Sequence, residues 1–129
     1  MKAIVRILRA TLPGTDRVPG LSEATCRAFL ARFRREAPGL TALGLYASAM
    51  AVLLTPPLTI GRWRTADHLG DLDLDRHLTA LARHPAYVLR QTVLMLKMTA
   101  GLAWGADPAV RRALGMAPYP PDPGTWRTA

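Results

Sequence analysis

The sequence predicts an all-α fold: a small, irregular bundle of about five to six helices with an extended, proline-rich C-terminal tail. Apolar residues recur with a helical period nearly everywhere, and no segment alternates like a half-buried strand. The 129 residues suit one domain with one core, and half of them are apolar while a fifth are charged, which is the balance of a folded protein. We therefore expect one helical domain over residues 1–115 and a tail over residues 116–129.

The first two predicted helices flank a loop. A first helix is expected over about residues 2–10, and segment 12–20, LPGTDRVPG, must be a loop because it holds two prolines and two glycines. Ser22 stands where an N-cap would, so a second helix should run from there to about residue 36. Its expected apolar face consists of Ala24, Ala28, Phe29 and Phe33.

An uncharged segment follows at residues 37–61. It resembles a membrane span, but Pro38, Pro56 and Pro57 leave only 17 residues free of proline, about 25 Å of helix against about 30 Å of hydrocarbon. We expect a core helix over residues 41–54, enclosed by the other helices. Its small-residue seam comprises Gly44, Ala47, Ser48 and Ala51. An irregular connection over residues 60–70 carries Arg62, Trp63 and Arg64.

Three aspartates, at positions 71, 73 and 75, resemble the opening of a calcium-binding loop. Such a loop needs Gly at its sixth position and a bidentate Glu at its twelfth, where this sequence has Arg76 and Ala82. We expect instead that one aspartate caps a helix over about residues 74–83 and that all three favour its positive end.

The next helix is expected to open at Pro85 and to continue to about residue 104, with nearly every side apolar. Its only full charges, Arg90 and Lys97, are seven residues apart and share one stripe. Two interpretations remain open: their stems reach solvent along an exposed edge, or they pair with charges of a partner in a buried site.

The last helix is marked at both ends. Asp107 is its predicted cap, Pro108 its first residue and Gly115 the residue after its end. Beyond it, residues 116–129 include four prolines together with Tyr119 and Trp126. An extended backbone leaves polar groups that need water or a host surface.

The formal net charge of +8 suits binding to phosphates. However, the cations are mostly arginines scattered from Arg6 to Arg127, with a cluster only at Arg32, Arg34 and Arg35. Neither a ribonucleoprotein motif nor helix-turn-helix spacing accompanies them. Nucleic-acid binding is therefore not expected, and an acidic partner surface fits the charge at least as well.

Motifs of known chemistry are lacking in this sequence. Cys26 is the only cysteine, which excludes an internal disulfide and a Cys-rich zinc module, and it is expected to be a small core residue. The histidines at positions 68, 77 and 84 have no carboxylates at metal-binding helical spacing and are expected to be solvated. A Gly-x-Ser-x-Gly elbow, a glycine-rich phosphate loop and Cys-x-x-Cys are all missing. We therefore assign no catalytic, cofactor-binding or metal-binding residue to this chain.

The opening segment MKAIVRILRA has a basic start at Lys2, as secretory signals do, but Arg6 and Arg9 interrupt its apolar run. Because the uncharged segment is also too short for a comfortable span, the sequence gives no signal peptide or convincing transmembrane helix. A cytoplasmic location is therefore the expectation.

The run LKMTAGLAWGADPAVRRALGM, residues 96–116, resembles a segment of the small helical subunit, or fused helical region, that accompanies flavin-dependent dehydrogenases of the glucose-methanol-choline type. The shared pattern is an apolar helix, a lysine, an aromatic residue, Asp-Pro, a short helix and Leu-Gly before an aromatic residue or Met. The Leu-Pro stretch at residues 11–14 and FLARF at residues 29–33 are also similar to the opening of such regions.

The resemblance implies a non-catalytic, stabilising subunit that packs on a larger flavoprotein oxidoreductase. FAD and the hydride chemistry would belong to that partner, with no cofactor in this chain. Aromatic and arginine side chains are common anchors of interfaces. The expected partner-binding residues are Arg90, Lys97, Trp104, Arg111, Tyr119 and Trp126.

Two other functions stay open. A small-molecule-binding helical bundle would hold its ligand between the uncharged helix and the 85–104 helix, with Tyr46, Met50, Met95 and Trp104 as walls. A basic peripheral membrane protein would place arginine-rich helices on anionic lipid. The membrane interpretation is not favoured over the accessory subunit.

Overall fold

The computed structural model describes residues 1–118, and there the chain forms seven α-helices and no strand. The helices are α1 (Lys2–Thr11), α2 (Glu23–Glu36), α3 (Gly39–Leu54), α4 (Pro56–Ile60), α5 (Asp71–Ala82), α6 (Tyr87–Gly105) and α7 (Pro108–Ala113), and a 3-10 turn at Ala66–His68 lies between α4 and α5. The all-α prediction is thereby confirmed. Residues 119–129, with most of the expected tail, lie outside the described residues.

The central helix is α6, which packs against α1, α2, α3, α5 and α7. Its buried apolar stripe consists of Val93, Leu96, Ala100 and Ala103, spaced by three or four residues as one face of a helix requires. Ile7 and Leu8 of α1 and Leu45 of α3 belong to the same core cluster. One stripe of α6 therefore supplies the contact for most of the bundle.

The Pro56–Pro57 pair ends α3 at Leu54, as the sequence predicts, because neither ring can continue a helix. The same pair then begins α4, since the first turn of a helix tolerates proline. The sequence analysis does not predict this short helix. Gly61 ends it with φ of +66°, a left-handed conformation that glycine adopts without strain, and the expected irregular connection follows.

His77 is fully buried, which corrects the expectation of a solvated side chain. Pro56 has no amide hydrogen for the carbonyl of Val52 four residues earlier, so α3 would end on an unpaired buried oxygen. The Nε2–H of His77 donates to that oxygen at 2.8 Å, and Nδ1 accepts from the Thr59 hydroxyl at 2.5 Å. The His77 ring of α5 thus satisfies the last buried carbonyl of α3 and is hydrogen-bonded to α4.

The helices α5 and α6 do not begin where the sequence predicts. α5 starts at Asp71 with Gly70 as its N-cap, and no side chain caps it. Two of the three aspartates lie in its first turn, at the positive end as expected, and both pair with arginines: Asp71 with Arg6 at 3.3 Å and Asp73 with Arg62 at 3.3 Å. α6 starts at Tyr87 after an extended Ala86, so Pro85 lies outside the helix rather than in its first turn.

The core face of α2 also differs from the predicted one. Cys26 and Leu30 are fully buried there, and the half-buried rings of Phe29 and Phe33 stack with centroids 5.8 Å apart. The alanines at positions 24 and 28 are exposed. Alanine has too little apolar area to decide which face of a helix is buried, so the larger side chains set the orientation.

Both predicted helix caps near α7 are confirmed, and they are linked. The Ser22 hydroxyl accepts from the Thr25 amide at 3.1 Å and caps α2, while Asp107 accepts from the Ala109 amide at 2.8 Å and caps α7. The Thr25 hydroxyl donates to the other Asp107 oxygen at 2.6 Å. This hydrogen bond and the amides of α7 hold the pKa of Asp107 below its usual range. Gly115, with φ of +67°, follows the end of α7 as predicted.

We expect Asp107→Ala to lower the free energy of unfolding by about 1–2 kcal/mol, because α7 loses its cap and Thr25 loses its acceptor. Urea denaturation followed by circular dichroism measures the change. Asp16→Ala removes an exposed loop carboxylate and serves as the control, with an expected change within about 0.5 kcal/mol. Equal losses in the two variants would contradict the proposed role of the cap.

Stability should decrease as the pH falls below about 6.5, the ordinary pKa of histidine. Burial lowers the pKa of His77, so the unfolded chain takes up a proton that the folded chain excludes. Melting temperatures measured between neutral and mildly acidic pH test this. His77→Gln should lose this pH dependence while exposed His68→Gln keeps it; an unchanged pH profile in His77→Gln would contradict the assignment.

Candidate partner-binding surface

The uncharged helix α3 is buried on one side only, which corrects the expectation that the other helices enclose it. Leu45, Ala49 and Val52 face the core. On the opposite side a row of apolar residues is exposed, and its first member, Leu40, has 82% of its surface accessible. The row comprises Leu40, Leu43, Ala47, Met50 and Leu54. These positions are separated by three and four residues in turn, the spacing with which one helix packs along another.

A second exposed apolar row lies on α6. Leu94, Met98 and Leu102 are spaced by four residues and stand opposite the buried stripe of that helix. Leu102 has 63% of its surface accessible although it lies on the central helix of the fold. The helix is therefore apolar over a wider arc than its neighbours in this chain cover.

The two rows adjoin each other. α3 packs on α6, and a Cβ atom placed on Gly44 would meet the Met95 Cε at 3.7 Å. Leu40 lies one turn before Gly44, and Met98 and Leu102 lie one and two turns after Met95, so both rows border the line of contact. We call this surface the α3–α6 face, defined by Leu40, Leu43, Met50, Leu54, Leu94, Met98 and Leu102.

The elements that form this face contain no carboxylate. All nine acidic residues lie outside residues 37–66 and 85–106. The same segments carry four cations, Arg62, Arg64, Arg90 and Lys97. The α3–α6 face is thus apolar, and the formal side-chain charges on its helices are all positive.

Arg90 and Lys97 differ in their surroundings. The Arg90 guanidinium donates to the carbonyl oxygens of His84 at 2.7 Å and Pro85 at 2.9 Å, and it lies 5.7 Å from the ring centroid of Tyr87. Arg90 therefore closes the turn before α6. Lys97 is exposed on the middle of α6. Their expected contact with a partner stays a prediction.

The other predicted contact residues stabilise the chain itself where the structure describes them. Trp104 is half-buried and donates its Nε1–H to the Pro19 carbonyl at 2.8 Å, which holds the loop of residues 12–20 against α6. Arg111 donates from Nε to the Ala117 carbonyl at 2.7 Å. Tyr119 and Trp126 lie outside the described residues.

The predicted partner-binding residues include none of the two apolar rows, because the sequence analysis favours charged and aromatic anchors. A signal for them is present, because positions 40, 43, 47, 50 and 54 follow a heptad spacing in a segment without charges. In a helix apolar on all sides, however, the buried and the exposed rows have the same composition. Spacing alone therefore does not distinguish the inner row from the outer one.

The expected small-molecule site between α3 and α6 receives no support from the structure. Met95 packs towards Gly44, Met50 is half-exposed on the outer row, and Trp104 is bonded to Pro19. A groove of about 810 Å³ lies elsewhere, between α1, α2 and α5. Several of its charged residues pair with one another: Glu23 contacts Arg27 at 2.7 Å and Arg9 at 3.7 Å, and Asp71 contacts Arg6.

Reactive and metal-binding groups do not gather at one place within residues 1–118. Those residues contain no group of three or more His, Cys, Asp or Glu side chains that could hold a metal ion. Cys26 is buried, as predicted, and burial raises the pKa of its thiol to about 11. The thiol is therefore protonated at neutral pH and a poor nucleophile.

Comparisons with protein-family models, with curated proteins and with solved structures find no match. The resemblance to a flavin-dehydrogenase subunit therefore stays a prediction. None of the helices within residues 1–118 combines the length and the apolar character needed to cross a bilayer.

We expect Leu43→Gln and Leu102→Gln to change the free energy of unfolding by no more than about 0.5 kcal/mol, because both side chains are already largely in water and glutamine suits a helix. Leu45→Ala, on the buried side of α3, should cost about 2–5 kcal/mol. Urea denaturation of the isolated chain measures all three. A large loss in the Leu43 or Leu102 variant would show that the outer rows are part of the core.

Proposed function

We propose that this chain is a non-catalytic accessory subunit that binds a larger protein through the α3–α6 face. The observation that supports the proposal most directly is the exposed apolar row on each of two helices that pack against each other. Soluble chains rarely leave such a surface uncovered, and a contiguous apolar patch commonly marks an interface. The centre of the proposed interface would be apolar, and its rim would include Arg90 and Lys97. This is the usual arrangement of a stable interface.

The spacing of the exposed row on α3 favours a helical element of the partner. Leu40, Leu43, Met50 and Leu54 form an exposed row of large side chains, and the small residues at positions 44, 48 and 51 lie beside this row on the helix. A row of small residues beside a row of large ones gives a groove into which a second helix can place its own ridge. The partner should therefore offer an apolar helix, with carboxylates near the positions of the two cations.

The partner class within this proposal comes from the resemblance of residues 96–116 to the small subunit of flavin-dependent dehydrogenases. The larger chain would hold FAD and carry out the redox chemistry, and the accessory chain would stabilise it. The expected cytoplasmic location belongs to the same proposal.

Co-expression with a flavin-dependent dehydrogenase from the neighbouring genes tests the proposal. Size-exclusion chromatography with light scattering should give one stable complex with one copy of each chain and the absorbance of flavin. Leu43→Gln combined with Leu102→Gln should weaken the complex at least about tenfold, because each removes an apolar contact at the centre of the interface. Ala28→Gln, on the exposed side of α2, is the matched control and should leave the complex intact.

Two results would overturn different parts of the proposal. If the wild-type chain elutes alone and monodisperse beside every such dehydrogenase, the partner class is wrong. If a complex forms and the double variant binds as tightly as the Ala28→Gln control, the α3–α6 face is not the contact surface.

A further inference from the structure

The connection between α4 and α5 carries the most exposed aromatic side chain of the described residues. Trp63 has 91% of its surface accessible, and Leu58, five residues earlier on α4, has 81%. Arg62 and Arg64 precede and follow Trp63 in the sequence. Within residues 1–118, the hydrogen bonds, ion pairs and core contacts do not involve the Trp63 side chain, so this part of the fold gives no reason for its presence.

The backbone holds this tryptophan at the tip of a fixed turn. The Arg64 amide donates to the Arg62 carbonyl at 2.8 Å, which places Trp63 at the apex of a three-residue turn. On one side the turn is preceded by Gly61 in its left-handed conformation. On the other side Arg6 of α1 donates to the carbonyl oxygens of Asp67 and Leu69, which fixes the 3-10 turn that follows.

The negative charges near the turn are already paired with cations or hydroxyl groups. Asp73 contacts Arg62 at 3.3 Å and Arg76 at 3.8 Å, and Asp71 contacts Arg6. The Thr65 hydroxyl and His68 hold the pKa of Asp67 below its usual range. Arg64 is exposed and has none of these acids as a partner, and the whole chain carries a net charge of +8. The turn therefore approaches a negative surface without repulsion, and the long-range field of the chain favours that approach.

A side chain that projects alone from a turn suits a lipid surface better than a protein pocket. Protein hot spots are ringed by flat contacts that exclude water, and Trp63 has no such surroundings. Lipid headgroups close around a projecting side chain by themselves. An indole prefers that layer because its ring is apolar while its N–H is polar, and a neighbouring arginine can pair with phosphate.

We propose that the turn of residues 61–65, together with Leu58, docks on an anionic bilayer by inserting Trp63 into the headgroup layer. This surface shares no residue with the α3–α6 face, although Leu58 lies only four residues after Leu54 of that face. The inference does not rest on the accessory-subunit proposal.

Vesicles of phosphatidylcholine with about one third phosphatidylglycerol test the proposal, with pure phosphatidylcholine vesicles as the neutral comparison. The full chain should float with the anionic vesicles at moderate salt. Trp63→Ala should weaken the partition about tenfold, and Trp63→Phe should retain most of it, because the free energy follows the apolar area inserted. Arg64→Gln should weaken binding to anionic vesicles and leave the weak binding to neutral ones unchanged.

The controls separate this surface from the other one. Leu43→Gln and Leu102→Gln, which alter the α3–α6 face, should bind vesicles as the wild-type chain does. The proposal is overturned if the wild-type chain stays off anionic vesicles, if Trp63→Ala floats as well as the wild-type chain, or if the two leucine variants lose binding while Trp63→Ala keeps it. It is likewise overturned if the chain does not bind vesicles while Trp63→Ala weakens a protein complex, because Trp63 would then be a contact residue for a protein. None of these vesicle results decides whether a flavoprotein binds.

Discussion

The arrangement of this chain depends on the width of the apolar surface of α6. A helix can bury only the arc that its neighbours cover, and five helices pack around one side of α6 while Leu94, Met98 and Leu102 remain outside. α3 has the same excess, with Leu45 and Val52 inside and Leu43 outside. A domain of this size has too few elements to enclose two helices that are apolar on all sides. The open face follows from that shortage.

The rest of the fold is held by side chains that complete the backbone of another element. His77 supplies the donor that Pro56 denies to Val52, and Asp107 accepts from α2 as well as from its own helix. Trp104 and Arg6 hold the two long connections by donating to their carbonyl groups. Short helices gain little from propensity alone, so such contacts fix where each one ends. They also explain why Arg6, His77, Trp104 and Asp107 serve the framework of the fold rather than the α3–α6 face.

The sequence predicts the features whose cause is local. Ser22, Asp107 and Gly115 mark helix ends because a cap or a left-handed residue acts within one turn. The helical class follows from periodicity in the same way. The burial of His77 is not local, since its partner is a carbonyl 25 residues away that lacks a donor only because of Pro56. The exposure of the α3–α6 face is also not predictable from the sequence. A row of leucines has the same spacing whether it is buried or exposed, and only the neighbours of the helix decide which it is.

The separation of charge from apolar surface has a consequence for assembly. Glu23 and Asp71 pair with arginines of α1, and Asp73 pairs with Arg62, while the acid-free segments contribute four of the eight net positive charges. Most of the binding free energy of a partner on the α3–α6 face would come from burial of the two apolar rows, and this contribution does not depend on charge. The approach of that partner does depend on charge, because the field of a basic chain steers an acidic surface before contact. Added salt should therefore slow association more than it weakens the final complex, since screening acts on exposed rim charges and leaves the apolar contact in place.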